Sequence, residues 1–476
     1  MNNSINIRPT FNLYTKLSIG LCLIGHTIIK AEEPSKPFKP NIIYILADDL
    51  GIGDLGCYGQ DKIQTPAIDQ LAANGMRFLQ HYSGSTVSAP SRCSLMTGKH
   101  TGHASIRGNY PQTASDGLKY DLPLPAEETT IATILKKNHY KTACFGKWGM
   151  GAFDSEGAPQ KHGFDYFYGY LGQGHAHFYY PDFLYENDKK IKLDKKVYAH
   201  DLIMERAYQF IEENASEPFF MYLTPTIPHA ELIVPEGERG SYENSFDESP
   251  YIGNHYCSQP KPRATYAAMV GRLDRNVQYI VELLKKKGIY NQTIIIFTSD
   301  NGVHKEGGND PDFFDSNGEF RGYKRDLYEG GIRTPFIVQW PEHIQSGSTQ
   351  KHISAFWDFL PTVCELIGAK VPQEVDGISY LPSLLQKGKQ QQHKSLYFEF
   401  HEGGGKQAVI KGDWKLIRFN VNKPDKTYYE LYNLKKDKQE QNNLADQNKY
   451  LVNKLIQVMD KSRTNNKLFK FKSENL

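Results

Sequence analysis

Two pairs of oxygen-bearing side chains each come directly after a short apolar run in the sequence. One pair is Asp48 and Asp49, and the other is Asp300 and Asn301. If the apolar runs are strands of an open α/β sheet, both pairs lie in the crevice outside the carboxyl ends of the strands. Three carboxylates and an amide oxygen form a hard donor set, which suits Ca²⁺ or Mg²⁺ and not Zn²⁺. An Asp after a strand also commonly caps a turn, so either pair alone is more often structural.

A third segment, residues 88–99, places a hydroxyl group at the start of a predicted helix. Pro90 and Ser91 are typical of the first turn of a helix, and Ser88 then lies at its positive end. Backbone N–H groups at such an end favour an anionic substrate. Without further context, the same residues describe only a capped helix.

The pattern of elements predicts the scaffold that positions these segments. Apolar runs predict buried strands at residues 41–47 and 293–298, and helix-like segments lie at residues 68–79, 131–137 and 264–286. Alternating strands and helices predict an α/β fold with a large, central, mostly parallel sheet flanked by helices on both faces.

The last part of the chain changes character. Short antiparallel strands with Gly or Asn-Lys turns are predicted at residues 396–400, 407–410, 414–419 and 428–432. We therefore predict a catalytic α/β domain at residues 36–390 and a C-terminal α+β subdomain, a small antiparallel sheet plus a helix, at residues 391–476.

The N-terminal segment predicts export. Arg8 and Lys16 precede an apolar run at residues 17–29, and Ala31 follows it, which is typical of a signal peptide over residues 1–31. The run is shorter than the roughly 20 residues that a stable membrane span needs. We expect a protein without a stable membrane span that is exported to the periplasm or outside the cell.

The composition of the 476 residues limits the choice of partners. Lys and Arg total 56 and Asp and Glu total 54, for a net charge of +2, so the bulk charge does not indicate a nucleic-acid partner. The six cysteines are widely spaced and indicate neither a disulfide framework nor a zinc site. The 30 Tyr residues fit two interpretations equally, rings that stack on sugars or half-buried strand positions.

Residues 88–99 resemble the signature of the sulfatase family, which is Cys or Ser, any residue, Pro, Ser, Arg and, further on, Thr-Gly. Every defining position is met. The other matching segments are Asp48-Asp49, Gly146-Lys147-Trp148-Gly149, Asp300-Asn301-Gly302 and residues 324–335. The resemblance covers essentially all of the mature chain and implies an alkaline phosphatase-like fold.

The resemblance also implies the cofactors. Asp48, Asp49, Asp300 and Asn301 would hold Ca²⁺, and the modified side chain of Ser88 would complete the shell. In the family, the residue at this position is oxidised to formylglycine (3-oxoalanine) and hydrated; one hydroxyl attacks sulfur and the other later expels sulfate. A serine here implies a maturation enzyme of the anaerobic radical type. An unmodified serine would be a weak nucleophile.

Four further side chains receive roles from the resemblance. Arg92 would orient the diol, Lys147 and Lys324 would bind the sulfate, and His229 would protonate the departing alcohol. Outside these motifs, a single Lys is usually a solvated surface charge, and a single His after a strand is usually structural.

One position departs from the family pattern. Many members carry Gly-Lys-Trp-His, whose His takes the proton from the diol, and this chain has Gly149 there. A subgroup with Gly at this position tends to carry an Ala-His-aromatic-Tyr-Tyr-Pro segment, found here as AHFYYP at residues 176–181. We therefore predict that His175 or His177 replaces the base or contacts the sugar, and the sequence does not choose between these roles.

The function implied by the resemblance is hydrolysis of a sulfate monoester. The partner would be a sulfated glycan or a small sulfated sugar of galactose or N-acetylgalactosamine type, from which an exo-acting enzyme releases inorganic sulfate. Arg107, Asn109 and His304 are further candidate substrate contacts. Two alternatives stay open: a phosphoester or phosphonate hydrolase of the same superfamily, and a non-catalytic glycan-binding homologue in which Ser88 is not oxidised.

Overall fold

The computed structural model of the protein describes residues 39–471. The predicted signal peptide at residues 1–31 lies outside this range, as do residues 472–476.

The strands, in chain order, are β1 (Asn41–Ala47), β2 (Met76–Phe78), β3 (His81–Tyr82), β4 (Gln112–Thr113), β5 (Lys119–Tyr120), β6 (Lys141–Lys147), β7 (Tyr166–Tyr170), β8 (Phe183–Glu186), β9 (Lys189–Lys192), β10 (Phe219–Thr224), β11 (Thr293–Ser299), β12 (Phe336–Gln339), β13 (Ser348–Gln350), β14 (Ser354–Ala355), β15 (Leu396–Phe400), β16 (Lys406–Lys411), β17 (Trp414–Phe419) and β18 (Tyr428–Asn433). The α-helices are α1 (Pro66–Ala73), α2 (Ser88–Thr97), α3 (Ile131–Lys137), α4 (Ala199–Asn214), α5 (Pro262–Lys286), α6 (Pro311–Phe314), α7 (Glu329–Ile332), α8 (Phe359–Ile367), α9 (Leu381–Leu385) and α10 (Lys449–Lys461).

Ten of the described strands form the central sheet, in the order β13-β2-β12-β11-β1-β10-β6-β7-β8-β9. The strands from β11 to β7 run parallel, and β12 and β8 join them antiparallel on either side. Both β1 and β11 are buried along their whole length, as continuous apolar strands between two helical layers should be. The predicted fold class is confirmed, with a sheet that is parallel at its centre and mixed toward its edges.

The register of the parallel strands aligns the ends that carry candidate residues. β1 and β11 pair along their full length, and the last pair is Ala47 opposite Ser299. The next residues, Asp48 and Asp300, therefore leave the sheet side by side. β6 lies two strands from β1 on the other side, and its last residue is Lys147. The carboxyl edge of the sheet thus gathers acidic and basic side chains from distant parts of the chain.

Helices cover both faces of the sheet and pack on alternate residues of β1. Ile42, Tyr44 and Leu46 belong to one apolar cluster, together with residues of α2, α3 and α8. Ile43 and Ile45 belong to a second cluster, together with residues of α1, α4 and α5. Because successive side chains of a strand point to opposite faces, β1 is the shared centre of two cores.

The predicted helices in the middle of the chain are confirmed as α3 and α5. The helix predicted over residues 68–79 is wrong in its second half, since α1 ends at Ala73 and β2 follows. Gly75 gives the reason, because a Cβ atom there would lie 2.4 Å from the carbonyl oxygen of Val338 in β12. Glycine at this point lets the chain leave the helix and pass close to β12.

The C-terminal strands form a separate antiparallel sheet in the order β15-β16-β17-β18, as predicted. One face packs on α10 through Val452, Leu455 and Met459. The opposite face packs in a cluster with Tyr82 and Val87, so this sheet supports the segment that leads into α2. No helix within residues 39–471 is both long enough and apolar enough to cross a bilayer. The boundary at residue 390 stays a prediction.

Candidate active site

α2 presents its first residue, Ser88, to the carboxyl edge of the central sheet. Ser88 Oγ donates a hydrogen bond to Asp48 Oδ1 (3.3 Å) and accepts one from Lys147 Nζ (3.1 Å). Ser91 Oγ donates to the carbonyl oxygen of Asp300 (2.5 Å), which docks the helix on the end of β11. The helix N-terminus and the lysine both favour negative charge at the position of the Ser88 hydroxyl.

The four predicted metal ligands lie together and are buried. The backbone N–H of Asp49 donates to Asp300 Oδ1 (3.1 Å), and Asn301 Nδ2 donates to Asp49 Oδ1 (2.6 Å). Asn301 Oδ1 is buried and has no hydrogen-bond partner within the described residues. An unsatisfied buried acceptor beside three carboxylates is unusual in a folded protein. This all-oxygen donor set, with Asp48, fits a hard divalent cation such as Ca²⁺ or Mg²⁺.

Each of the three buried carboxylates has a buried cation beside it. Arg92 Nη2 lies 2.8 Å from Asp300 Oδ2, Lys147 Nζ lies 2.5 Å from Asp48 Oδ2, and Lys324 Nζ lies 2.7 Å from Asp49 Oδ2. Burial alone would raise the pKa of Asp49, but the charge of Lys324 outweighs burial and holds this pKa below its ordinary value. Burial and the Asp48 carboxylate raise the pKa of Asp300. A further positive charge here would favour the ionised form of Asp300.

His229 forms a hydrogen-bonded pair with Lys324. Its Nδ1 donates to the carbonyl oxygen of Ala230, and its Nε2 accepts from Lys324 Nζ (2.9 Å). The rings of His177 and His304 stack on the His229 ring, with centroid distances of 4.8 and 5.4 Å. Burial and the charge of Lys324 lower the pKa of His229 to about 3. His229 is therefore neutral, and the proton of the pair resides on Lys324 Nζ.

Ser88, His177, His229 and Lys324 open onto one cavity of about 280 Å³, and Asn109 lies on the same cavity. The cavity combines a hydroxyl at a helix N-terminus, a cation and a proton-carrying pair. An enzyme that transfers a charged group from an ester must position the ester and neutralise the charge on its oxygens. The groups in this cavity can do both.

Two predicted substrate contacts, Arg107 and His304, are buried and do not line the cavity. The Arg107 guanidinium donates to the carbonyl oxygen of Thr464 (2.9 Å) and lies 3.6 Å from Glu399 Oε1. Both ring nitrogens of His304 are occupied, one by a backbone carbonyl oxygen and one by a backbone N–H group. Arg107 therefore fastens the segment after α2 to the C-terminal segment, and His304 packs against His229. Their role as substrate contacts stays a prediction.

The two histidines considered as replacements for the missing base face different cavities. His177 lines the cavity that contains Ser88. The His175 ring packs on Tyr170 and Phe183, at centroid distances of 5.0 and 4.4 Å, and lines a neighbouring cavity. Of the two, the structure brings His177 to Ser88.

Residues 40–369 match the family model for sulfatases, and residues 318–466 match the model for the C-terminal region of N-sulphoglucosamine sulphohydrolase. The chain belongs to the sulfatase family. It is similar to human steryl-sulfatase (30% identity over 452 residues, 75% of this chain and 72% of that protein) and to the N-acetylgalactosamine-6-O-sulfatase of Bacteroides thetaiotaomicron (28% over 514 residues, 90% and 93%). It is also similar to the crystal structure of Ps i-CgsB in complex with k-i-k-neocarrahexaose (TM-score 0.76, 32% identity, 91% of this chain and 94% of that one).

Family membership establishes the reaction class of this sulfatase. The match over residues 40–369 includes every segment on which the resemblance rests. The prediction of a sulfuric ester hydrolase is therefore confirmed. The roles of single residues, the ion and the oxidation of Ser88 stay predictions.

Several polar residues of the sulfatase cavity were not predicted from the sequence, and among them are Asp121, Gln173, Tyr256 and Glu306. Glu306 Oε2 lies 3.5 Å from Lys324 Nζ and accepts a hydrogen bond from Tyr256 Oη (2.7 Å). Asp121 accepts one from the backbone N–H of Gln173 (2.9 Å). None of them belongs to a motif. The one available signal was that Glu306 follows the acidic end of β11 within the same loop.

A second group of potential metal ligands in the sulfatase consists of His100, His103 and Asp376. The backbone N–H of Gly102 donates to His100 Nδ1 (3.1 Å), so the neutral ring carries its proton on Nε2, which faces Asp376 (3.7 Å). A protonated ring nitrogen does not ligate a metal. The group is therefore a hydrogen-bonded link between the segment after α2 and the segment before α9.

Proposed function

We propose that this sulfatase removes sulfate from a sulfated carbohydrate of galactose or N-acetylgalactosamine type, with a formylglycine hydrate at position 88 and Ca²⁺, or Mg²⁺, beside it. The observation that carries the proposal is the position of Ser88 Oγ, 3.1 Å from Lys147 Nζ and 3.3 Å from Asp48 Oδ1, at the cavity. Relatives support a sugar, since one is named for N-acetylgalactosamine sulfate and another was solved with k-i-k-neocarrahexaose. Steryl-sulfatase shows that other esters occur in the family.

The two groups that the family implies would divide the chemistry. Asp48, Asp49, Asp300 and Asn301 would hold the ion, which would supply positive charge to a sulfate oxygen. Oxidation and hydration of the Ser88 side chain would supply one hydroxyl that attacks sulfur and a second that allows sulfate to leave.

The side chains of the chain itself position the sulfate and balance its charge. Lys147 Nζ contacts Ser88 Oγ, so it fixes the direction of the attacking group. Arg92 donates two hydrogen bonds to Asp300 Oδ2 and a third to the carbonyl oxygen of Lys147. Arg92 therefore holds a metal ligand and a sulfate-binding lysine in one geometry, and it acts as a positioning residue.

The proton for the departing alcohol is held at the contact between Lys324 and His229. Burial would lower the pKa of Lys324, but Asp49 and Glu306 outweigh burial and raise it, so Lys324 keeps its proton at rest. Lys324 Nζ donates to His229 Nε2, and this pair, which lines the cavity, would supply the proton to the leaving oxygen.

Mass spectrometry of the Ser88 peptide from protein made in the native host tests the nucleophile. Oxidation removes two hydrogens and leaves an aldehyde that a hydrazine traps. We expect this modified peptide in active protein. An unaltered serine together with full desulfation would overturn the proposal.

Substrate assays test the ester and the sugar. We expect matured protein to hydrolyse an aryl sulfate and to leave the matching aryl phosphate nearly intact. A panel of sulfated mono- and disaccharides with defined sulfate positions then identifies the sugar. Activity on the aryl sulfate without activity on any sulfated sugar would overturn the carbohydrate proposal.

We further propose that residues 1–31 direct export to the periplasm or outside the cell, and that an anaerobic radical enzyme oxidises Ser88. N-terminal sequencing of exported protein checks the first point. Co-expression with and without such an enzyme checks the second, and equal aldehyde content in both preparations would exclude it.

A further inference from the structure

A second cavity of about 480 Å³ adjoins the catalytic cavity, and we call it the aromatic cleft. Its lining includes Leu118, His175, Phe178, Tyr180, Pro181 and Phe183. It shares Lys119, Tyr120 and Gly174 with the catalytic cavity. The two cavities are therefore neighbours with a common wall, and a ligand that extends from the catalytic cavity past this wall enters the cleft.

The apolar side chains that line the aromatic cleft are exposed and held in place. Phe178 is 55% exposed and Leu118 is 40% exposed, although both are large apolar side chains. The carbonyl oxygen of Phe178 accepts a hydrogen bond from Tyr170 Oη (2.7 Å), which fixes its backbone. Phe183 packs against the His175 ring. Exposed apolar surface beside a catalytic cavity is a typical mark of a ligand site.

Charged side chains also line the cleft, so apolar and polar groups lie together on its walls. Lys119 lies where the two cavities meet, and Asp182 and Lys195 form an exposed pair 3.5 Å apart. A sugar ring likewise combines apolar faces with polar groups. A sterol is apolar all round, and it would desolvate these charges without replacing their hydrogen bonds. The distribution of polarity therefore favours a sugar.

We propose that the aromatic cleft binds the sugar residue next to the sulfated one, so that the enzyme recognises a glycan chain and not a single sulfated sugar. This inference rests on the proposed carbohydrate sulfatase activity. Phe178 supplies the stacking surface, and Lys119 favours a chain that carries negative charge near the cleavage point.

Chain length is the variable that tests the cleft. We compare kcat/KM for a sulfated monosaccharide with kcat/KM for di- and tetrasaccharides that end in the same sulfated residue. We expect the longer substrates to be better by about tenfold or more, mainly through KM, because one stacked ring contributes roughly that factor. Phe178→Ala should remove most of this gain, and Phe178→Trp should retain it.

Two controls distinguish a loss of binding in the aromatic cleft from a general loss of enzyme function. Phe178→Ala should hydrolyse the monosaccharide and an aryl sulfate as the unmodified sequence does, because Phe178 does not line the catalytic cavity. Tyr450→Ala removes another exposed aromatic ring, on α10, and should keep the full chain-length gain.

The possible outcomes are distinguishable. Equal kcat/KM for all chain lengths would overturn the inference, as would an equal loss on mono- and oligosaccharides in Phe178→Ala. A loss confined to apolar aryl or steryl sulfates would also overturn it and assign the cleft to an apolar leaving group. If no sulfated sugar of any length is hydrolysed, the proposed function itself fails.

Discussion

A Cβ atom at Gly149 would lie 2.2 Å from Gln173 Nε2, so the two residues compete for the same space. Gln173 Nε2 is buried and has no hydrogen-bond partner within residues 39–471. Gly149 also has a φ of +73°, which side chains rarely adopt. The side-chain amide of Gln173 therefore fills the space that a side chain at position 149 would need. This contact accounts for glycine in place of the family's histidine at this position.

Gly149→Ala should displace the Gln173 amide and lower activity. We expect kcat/KM on the sulfated substrate to fall about tenfold or more, because Gln173 lines the cavity and its backbone holds Asp121. The positive φ should add a loss of about 1 kcal/mol in the free energy of unfolding. Steady-state kinetics and urea unfolding measure the two effects.

Gly288→Ala is the matched control for this substitution. Gly288 has a φ of +72°, and nothing lies within 4 Å of its Cβ position. It should show the same loss of stability and no loss of activity. If both variants lose activity equally, the contact between Gly149 and Gln173 has no functional role.

His177→Ala should impair catalysis because the His177 ring stacks on His229 and lines the cavity. We expect a fall in kcat of about 10- to 100-fold, since a small shift of the proton-carrying pair is costly. The matched variant is His175→Ala, which changes a ring in the neighbouring cavity and should leave aryl sulfate hydrolysis unchanged. Near-normal turnover of the natural glycan by His177→Ala would contradict the assignment.

The meeting of Asp48 and Asp300 could be predicted from sequence, because two buried parallel strands of similar length end at the same edge of a sheet. The start of α2 at Ser88 could also be predicted, since Pro90 and Ser91 are typical of a first helical turn. In both cases the signal is local, and the sheet then fixes the relative position of the segments.

Gln173 and Glu306 could not be predicted in this way. Both lie outside helices and strands, where no periodicity indicates which side chains face the cavity. Arg107 and His304 were predicted as substrate contacts, but neither lines the cavity. Sequence proximity to a motif does not show whether a side chain is already bound by backbone groups. Only the tertiary contacts distinguish a positioning residue from a substrate contact.

Arg92→Met should strongly destabilise the fold. Arg92 is buried and donates to the buried carboxylate of Asp300 through two nitrogens. Removing it leaves Asp300 without its partner cation, which typically costs about 3–5 kcal/mol. Urea unfolding measures the loss.

Arg275→Ala is the control for that loss. Arg275 pairs with Glu238 at 2.8 Å, but the two side chains are 54% and 39% exposed. Exposed pairs contribute less than about 1 kcal/mol, so this variant should unfold nearly as the unmodified sequence does. Similar losses in both variants would show that burial of the Asp300 partner is not what matters.

Asp54 should make the stability of the protein depend on pH. Burial raises the pKa of this carboxyl from 3.8 to about 7, although Tyr266, Ser316 and the backbone of Gly51 donate hydrogen bonds to it. The folded state therefore holds a proton that the unfolded chain has released. The resulting stability is fully present below pH 3.8 and is lost as pH rises through about 7.

Asp54→Asn tests this dependence because asparagine resembles the protonated carboxyl and does not titrate. The unmodified sequence should lose up to about 1.4 kcal/mol of unfolding free energy per pH unit between about pH 5 and pH 7, relative to Asp54→Asn. Asp61→Asn, at a side chain that is 83% exposed, should leave the pH slope unchanged. Parallel stability curves for the unmodified sequence and Asp54→Asn would show that Asp54 is ionised in the folded protein, and that its three hydrogen-bond donors outweigh burial.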